Sequence, residues 1–176
     1  MPSSIGHILA GLAVSRFRIA RSSGESPGED WPYALLAATP DLDVIADIVR
    51  RRPVHYHNRR SHSLGAALAA GVATGLMSLA FGGRFLPKML KGAASYSSHL
   101  LLDYFGKEAE DGLPLLWPMS DHHFAAGRPI FRTIYTKKGR FFTGLMTRRN
   151  MRKVAREIAI IAPLVFIADL LTRSRS

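Results

Sequence analysis

The sequence predicts an all-α protein, built as a helical bundle. Several long segments are apolar over lengths typical of helices rather than strands, and Ser, Pro or Gly residues flank them as helix start and stop signals. The chain has 176 residues, of which 47% are hydrophobic and 21% charged, so it is long enough to form one domain with a proper core. It has no cysteine, which excludes disulfides and thiolate metal sites.

The first predicted helix covers residues 1–20, with Ser3 or Ser4 as its N-cap. No basic residue precedes its apolar run, so the segment does not resemble a secretory signal. His7 lies in the first turns, where a lone histidine is more often a capping or core residue than a metal ligand. The apolar stripe expected to face the core consists of Ile5, Ile8, Leu9, Leu12 and Phe17.

Two closely spaced aspartates follow the second predicted helix. Residues 31–39 resemble a short buried helix that ends at Pro40, because proline disfavours helix at the residue before it. Asp41 and Asp43 come directly afterwards. An aspartate cap on a following helix, residues 44–50, explains one carboxylate. Coordination of a cation by the two side chains explains both carboxylates, and the sequence leaves the two interpretations open.

A basic segment, residues 50–60, precedes a long uncharged helix. We expect Ser61 to be the N-cap, which places His62 in the first helical turn. The uncharged run, residues 64–83, is long enough to span the ~30 Å hydrocarbon core of a bilayer. It is rich in Ala and Gly, however, and small residues also suit a central helix that packs closely in a bundle. We favour the buried bundle helix over the membrane span.

The next predicted helix begins at Phe85 and stops near Gly106. It carries His99 and Asp103, which lie one turn apart on the same face of a helix. An imidazole and a carboxylate so placed can share one divalent metal ion, whereas the simpler interpretation is a core histidine hydrogen-bonded to an aspartate. In the loop that follows, the Asp121-His122-His123 run is expected to be exposed.

The C-terminal part of the chain is strongly basic. Residues 128–176 contain 12 lysines and arginines and two acidic residues, in a chain of formal charge +11. Such a segment attracts anionic lipid surfaces, nucleic acid or phosphorylated substrates, or it is simply a solvated face. A short strand is possible after Arg128. Residues 147–171 predict a helix, with a basic first half and an apolar second half, that is either interfacial or part of the core.

We therefore divide the chain into a metal-binding helical core, residues 1–127, and a basic segment with an amphipathic helix, residues 128–176, that packs on or extends the same domain.

Six candidate ligands occur on four separate elements of the chain, each at a helix end or on an apolar helix. Side chains that converge from several helices of a bundle are a known way to build a metal site. Six such groups are enough for two divalent ions, or for one ion with a second shell of partners. The candidates are His7, Asp41, Asp43, His62, His99 and Asp103.

Five short motifs occur in an order that resembles a known family. They are Ser4-Ile-Gly-His7, Thr39-Pro-Asp41-Leu-Asp43, Arg60-Ser-His62-Ser, Ser98-His99-Leu-Leu-Leu-Asp103 and Gly112-Leu-Pro-Leu-Leu-Trp-Pro118, within residues 1–125. The set is similar to the YdjM family of metal-dependent hydrolases, described as associated with the bacterial inner membrane. The resemblance implies a helical fold like that of zinc-dependent phospholipase C and the fungal zinc nucleases, in a protein that lies at the cytoplasmic side of the membrane or in the cytoplasm. It also implies that the metal ligands are His7, Asp41, His62, His99 and Asp103. Asp43 would lie beside them.

Together these features predict a hydrolase that acts on a phosphoester, in a phospholipid or another phosphodiester, by a metal-activated water. Zinc is the expected ion, and Mn or Fe would accept the same ligands. Asp43 is the candidate base, and His57, with His55, the candidate proton donor. Arg59 and Arg60 are candidate phosphate clamps. The alternative is a binding protein without catalysis, whose metal is structural and whose basic tail contacts an anionic membrane or, less favoured, nucleic acid.

Overall fold

A computed structural model describes residues 3–17, 30–42, 60–106, 112–128, 130–131 and 147–173. This part of the chain is helical, and its only β pairing consists of isolated bridges. The predicted helix over residues 44–50 and most of the possible strand after Arg128 lie outside the described residues. The helices are α1 (Ser4–Arg16), α2 (Trp31–Leu36), α3 (Leu64–Ala80), α4 (Phe85–Tyr104) and α5 (Arg148–Arg173), and a 3-10 turn covers Thr39–Asp41.

Helix α1 has the predicted cap but not the predicted buried face. Ser3 is the N-cap, and its hydroxyl accepts a hydrogen bond from the Gly6 amide. The expected stripe is wrong at Ile5, which is 50% exposed, and at Phe17, which is also exposed. The buried residues are mostly small, including Gly6, Ala10, Gly11 and Ala13. Small side chains let the neighbouring helices approach α1 closely, so van der Waals contact replaces burial of large residues.

The second element is shorter and less buried than expected. Helix α2 buries Tyr33 and Ala34, while Trp31 and Leu35 are exposed. The backbone continues through Ala37 into the 3-10 turn, with Pro40 as a residue of that turn. Proline suits the start of a helical turn because it has no amide hydrogen to satisfy there. This arrangement brings Asp41 towards α4.

Helices α3 and α4 form a close antiparallel pair through small residues. A Cβ atom at Gly71 would lie only 2.7 Å from Ala93 Cβ and from the Met89 carbonyl oxygen, so glycine is required there. The expected close packing through small residues is confirmed, but the expectation that the helix over residues 64–83 is buried is wrong. Helix α3 buries only Ala67, Gly71 and Gly75 of its residues, and leucines such as Leu68 and Leu76 are exposed.

Helix α5 packs along α1 through one stripe of side chains. Asn150, Glu157, Ile161 and Ala168 are buried on that stripe, and the internal Pro163 is exposed. The Glu157 carboxylate accepts hydrogen bonds from the amide and hydroxyl of Ser3, which ties α5 to the cap of α1. The helix is therefore part of the core on one side and exposes apolar residues on the other.

Two small apolar clusters hold the helices together. One joins α1, α4 and α5 around Ala10, Leu102 and Ile161, and the other joins α3 and α4 around Ala67 and Leu100. Within the described ranges, no helix combines the length and apolar character needed to cross a membrane. The ends of α1, α3 and α4 that carry the candidate ligands meet at one end of this bundle.

Candidate metal centre

Four of the candidate ligands converge on one point. Asp41, His62, His99 and Asp103 each offer a ligand atom, and these atoms all lie within 4.8 Å of one another. The side chains of His62, His99 and Asp103 are buried, and that of Asp41 is mostly buried. A group of two imidazoles and two carboxylates at such distances could hold a divalent metal ion.

Asp103 lies at the centre of the group. Its Oδ2 atom is 3.0 Å from His99 Nε2 and 3.4 Å from His62 Nε2. The two Nε2 atoms are themselves 3.3 Å apart, and Asp41 Oδ1 is 3.6 Å from His99 Nε2. The contact between His99 and Asp103 follows directly from their one-turn spacing on α4.

The hydrogen bonds of His99 determine which of its nitrogens faces the centre as an acceptor. His99 Nδ1 lies 2.8 Å from the Ala37 carbonyl oxygen, and a carbonyl only accepts hydrogen bonds, so Nδ1 carries the proton. In the neutral imidazole, Nε2 then presents a lone pair to the Asp103 carboxylate. Two lone pairs at 3.0 Å repel each other unless a cation lies between them, which is the electrostatic situation that a metal ion relieves.

The surroundings favour a neutral imidazole next to an ionised carboxylate. Burial lowers the pKa of His99, and the neighbouring His7 lowers it further, against the opposing effect of Asp103 and Asp41. Burial alone would raise the pKa of Asp103, but the surrounding imidazoles of His62, His7 and His99 outweigh burial and hold that pKa well below its usual range. Both directions suit metal binding, because ligands bind metals in their deprotonated forms.

His62 reaches the centre from a position that the sequence did not predict. The N-cap of α3 is Ser63, whose hydroxyl accepts a hydrogen bond from the Ala66 amide, and not Ser61. His62 therefore precedes the helix instead of lying in its first turn. The Tyr96 hydroxyl donates to the Ser61 carbonyl oxygen, and the Ser61 hydroxyl lies 3.1 Å from His62 Nδ1. These two contacts hold the His62 ring with Nε2 towards Asp103.

His7 lies beside the four-residue group. Its ring stacks on that of His99, with centroids 3.7 Å apart, and its Nε2 atom is 3.5 Å from Asp103 Oδ1. Among the described residues, neither ring nitrogen of this fully buried histidine has a hydrogen-bond partner. Asp103 thus presents one oxygen to His62 and His99 and the other to His7, as a carboxylate shared between two sets of ligands would.

The remaining candidates divide into those outside the described residues and those that the structure places. Asp43, His55, His57 and Arg59 are outside it, so their roles stay predictions. Arg60 is exposed, and its guanidinium carbon lies 5.3 Å from the centroid of the Trp117 ring. Asp121, His122 and His123 are exposed, as expected.

Sequence reasoning missed the groups that orient the imidazoles. The Ala37 carbonyl carries no side-chain signal, and Tyr96 is 35 residues from the carbonyl that it contacts. The serine before His62 was visible, but its hydroxyl contacts the His62 ring instead of capping α3. Such partners usually fix the tautomer and direction of a ligating histidine.

The metal-free protein should lose stability as the pH falls. The folded pKa of His99 lies below its usual 6.5 and that of Asp103 below its usual 3.8, so the unfolded chain binds more protons than the folded one below each of those values. The free energy of unfolding then rises with pH. The stabilising contribution of each group is lost as the pH falls through its pKa in the folded protein. Urea unfolding of metal-free protein from about pH 7 to pH 4 measures this slope. A His99→Gln variant should show a smaller slope just below pH 6.5, and an unchanged slope in that variant would contradict the assignment.

Comparison with known proteins gives the chain a family. No curated protein and no solved structure matches it. One family model matches almost the full length, residues 1–175, and its description is YdjM inner membrane protein. The match extends well beyond the motifs that surround the His/Asp group. The chain therefore belongs to the YdjM inner membrane protein family.

Proposed function

We propose that the protein is a metal-dependent hydrolase that acts on a phosphoester, in a phospholipid or another phosphodiester. The observation that carries the proposal is the convergence of His62, His99, Asp41 and Asp103, with the unprotonated Nε2 of His99 directed at a carboxylate oxygen. A divalent ion held by these residues would supply Lewis acidity, which would polarise a phosphoryl oxygen and favour ionisation of the attacking water near neutral pH.

The donor set fits zinc best among the common ions. Zinc accepts both kinds of donor in the group, two imidazole nitrogens and two carboxylate oxygens, and the chain has no thiolate to offer. Mn and Fe accept the same donors. His7 and the second oxygen of Asp103 form a separate pair, 3.5 Å apart, which supports a second ion as an extension of the proposal.

The chain's own residues do the remaining work. The Ala37 carbonyl and the Ser61 hydroxyl keep the two imidazoles aimed at the centre, and burial of the ligands excludes bulk water. Arg60 lies two residues before His62, and its guanidinium carbon is 5.3 Å from the centroid of the Trp117 ring. Arg60 is exposed, and the forked N–H groups of an arginine suit the oxygens of a phosphate.

One observation favours a different function. His7, His62 and His99 are all fully buried, and a closed site of this kind is typical of structural metals. In that case the protein would be a non-catalytic membrane-associated or polyanion-binding protein. A chelator separates the two possibilities, since a structural metal contributes directly to folding.

The test uses purified protein loaded with Zn²⁺ and bis(p-nitrophenyl) phosphate as a soluble phosphodiester. We expect metal-dependent hydrolysis that EDTA abolishes, with the far-UV circular dichroism retained and activity restored by added Zn²⁺. An Asp103→Asn variant should lack activity, whereas His122→Ala, altered at an exposed histidine, should keep it. Loss of helical structure on chelation, without hydrolysis under Zn²⁺, Mn²⁺ or Fe²⁺, would favour the structural alternative.

A further inference from the structure

A short turn, residues 115–119, packs against the end of the bundle that carries the metal ligands. The Leu64 amide donates to the Leu115 carbonyl oxygen at 2.9 Å, which joins the turn to the first residue of α3. A Cβ atom at Gly65 would lie 2.5 Å from the Trp117 carbonyl oxygen, so the two backbones are in direct contact. The turn is therefore fixed next to the segment that holds His62.

The outer side of this turn is apolar. Met119 is 90% exposed, Leu116 is 44% exposed, and Leu64 beside them is 49% exposed. Single exposed hydrophobic residues are ordinary, but several on one ordered turn mark an interaction surface. Arg60 lies over the Trp117 ring at the same place, so a cation borders the apolar residues.

The charge of the described surface indicates which partner this turn contacts. Of the acidic residues that the structure describes, all but Asp121 are buried or half-buried, because they contact histidines, basic residues or Ser3 inside the bundle. The exposed charged side chains of the described residues are therefore almost all arginines, and the charge that this part of the surface presents is mostly positive. A cationic surface with an exposed apolar tip is complementary to a bilayer of anionic lipids. The basic residues exposed in this part of the chain include Arg60, Arg84, Arg128, Arg148, Arg149, Arg152 and Arg156.

We propose that the 115–119 turn, with Leu64, inserts into the headgroup region of an anionic bilayer, and that Arg60 contacts a lipid phosphate. This contact brings the end of the bundle that contains His62 to the lipid surface. The inference rests on the proposed function for one point only, that a lipid phosphoester is the substrate. Insertion itself is measured without any catalytic turnover, so its failure and the failure of the hydrolase proposal are distinguishable.

The first measurement uses Trp117 as a probe. The chain has two tryptophans, and Trp31 lies on α2, so in a Trp31→Phe variant of the full chain Trp117 is the sole source of tryptophan emission. With phosphatidylglycerol vesicles we expect a blue shift of its emission and quenching by brominated lipid. With pure phosphatidylcholine vesicles both changes should be much smaller. Binding to phosphatidylglycerol without either change in Trp117 would overturn the proposed surface, and no binding would overturn the proposal altogether.

The second measurement compares two matched substitutions by vesicle flotation. Met119→Asp should weaken binding to phosphatidylglycerol vesicles about tenfold, since it replaces one inserted apolar side chain with a charge. Phe81→Asp is the control, because Phe81 is 85% exposed but follows the opposite end of α3. Both variants must keep the wild-type circular dichroism and metal content.

Three outcomes of this comparison contradict the proposal. An equal effect of Met119→Asp and Phe81→Asp would mean that general charge, and not this turn, drives binding. A wild-type dimer that Met119→Asp dissociates, with vesicle binding unchanged, would assign the turn to contact between two copies of the chain. Tighter binding to duplex DNA than to vesicles at equal ionic strength would assign the cationic surface to nucleic acid.

Discussion

The Asp103→Asn variant should bind zinc more than about 100-fold more weakly than the wild-type protein, because loss of a group that merely orients a ligand already costs about 10–100-fold. Asp103 contacts all three buried histidines, and one of its oxygens lies within 3.4 Å of both His62 Nε2 and His99 Nε2. Asparagine keeps the shape of the side chain but removes the negative charge that a divalent ion requires. Metal content after equilibrium dialysis, together with a competition titration against a chromogenic chelator, measures the loss.

His99→Ala should have an effect of similar size for a different reason. It removes the Nε2 ligand and also leaves the Ala37 carbonyl oxygen without the donor that it has at 2.8 Å. His122→Ala is the matched control, because His122 is an exposed histidine whose ring contacts Phe124 and no residue of the group. Equal metal content in His99→Ala, Asp103→Asn and His122→Ala would show that the four-residue group does not hold the ion.

The sequence predicted those parts of the site that depend on local spacing. The pairing of His99 with Asp103 follows from their one-turn separation on α4, and Asp41 follows a helix that a proline was expected to end. Ser3 was correctly expected as a possible cap of α1. These features involve residues within a few positions of each other, where helix geometry alone determines what is close.

The features that the sequence did not predict depend on contacts between distant segments. Ser61 and Ser63 are both suitable caps by residue type, and the structure uses Ser63 as the cap of α3. Tyr96, on another helix, binds the Ser61 carbonyl oxygen, a contact between distant segments that local sequence does not reveal. The apolar pattern of α3 also failed to predict that leucines such as Leu68 and Leu76 are exposed. The small residues of this helix, such as Gly71, pack against α4, and its leucines are exposed on the surface. An apolar helix is buried only if enough neighbours surround it, and that number is a property of the whole fold.

A buried ion pair remote from the metal centre was also invisible in the sequence. Lys91 on α4 and Asp30 at the start of α2 are both fully buried, and Lys91 Nζ lies 2.8 Å from Asp30 Oδ1. Lys91 Nζ is also 4.6 Å from the centroid of the Tyr33 ring. Arg16 on α1 lies 3.7 Å from the other Asp30 oxygen and 3.5 Å from Asp169 on α5. The pair therefore connects α2 with α4 and, through Arg16, with α1 and α5.

Lys91→Met should destabilise the fold by about 3 kcal/mol, at the lower end of the roughly 3–5 kcal/mol that removal of one partner from a buried pair costs. Methionine conserves the apolar stem but leaves the Asp30 carboxylate buried, with Arg16 as a more distant partner. The double variant Asp30→Asn/Lys91→Met should recover much of the stability that Lys91→Met loses, since the buried carboxylate is then neutralised together with its partner. The free energy of unfolding in urea, measured at equal metal loading, gives these differences. Lys88→Met on the same helix is the control, because Lys88 is only half-buried and its loss should cost less than about 1 kcal/mol. If Lys88→Met and Lys91→Met were equally destabilising, the buried pair would have no special role in connecting the helices.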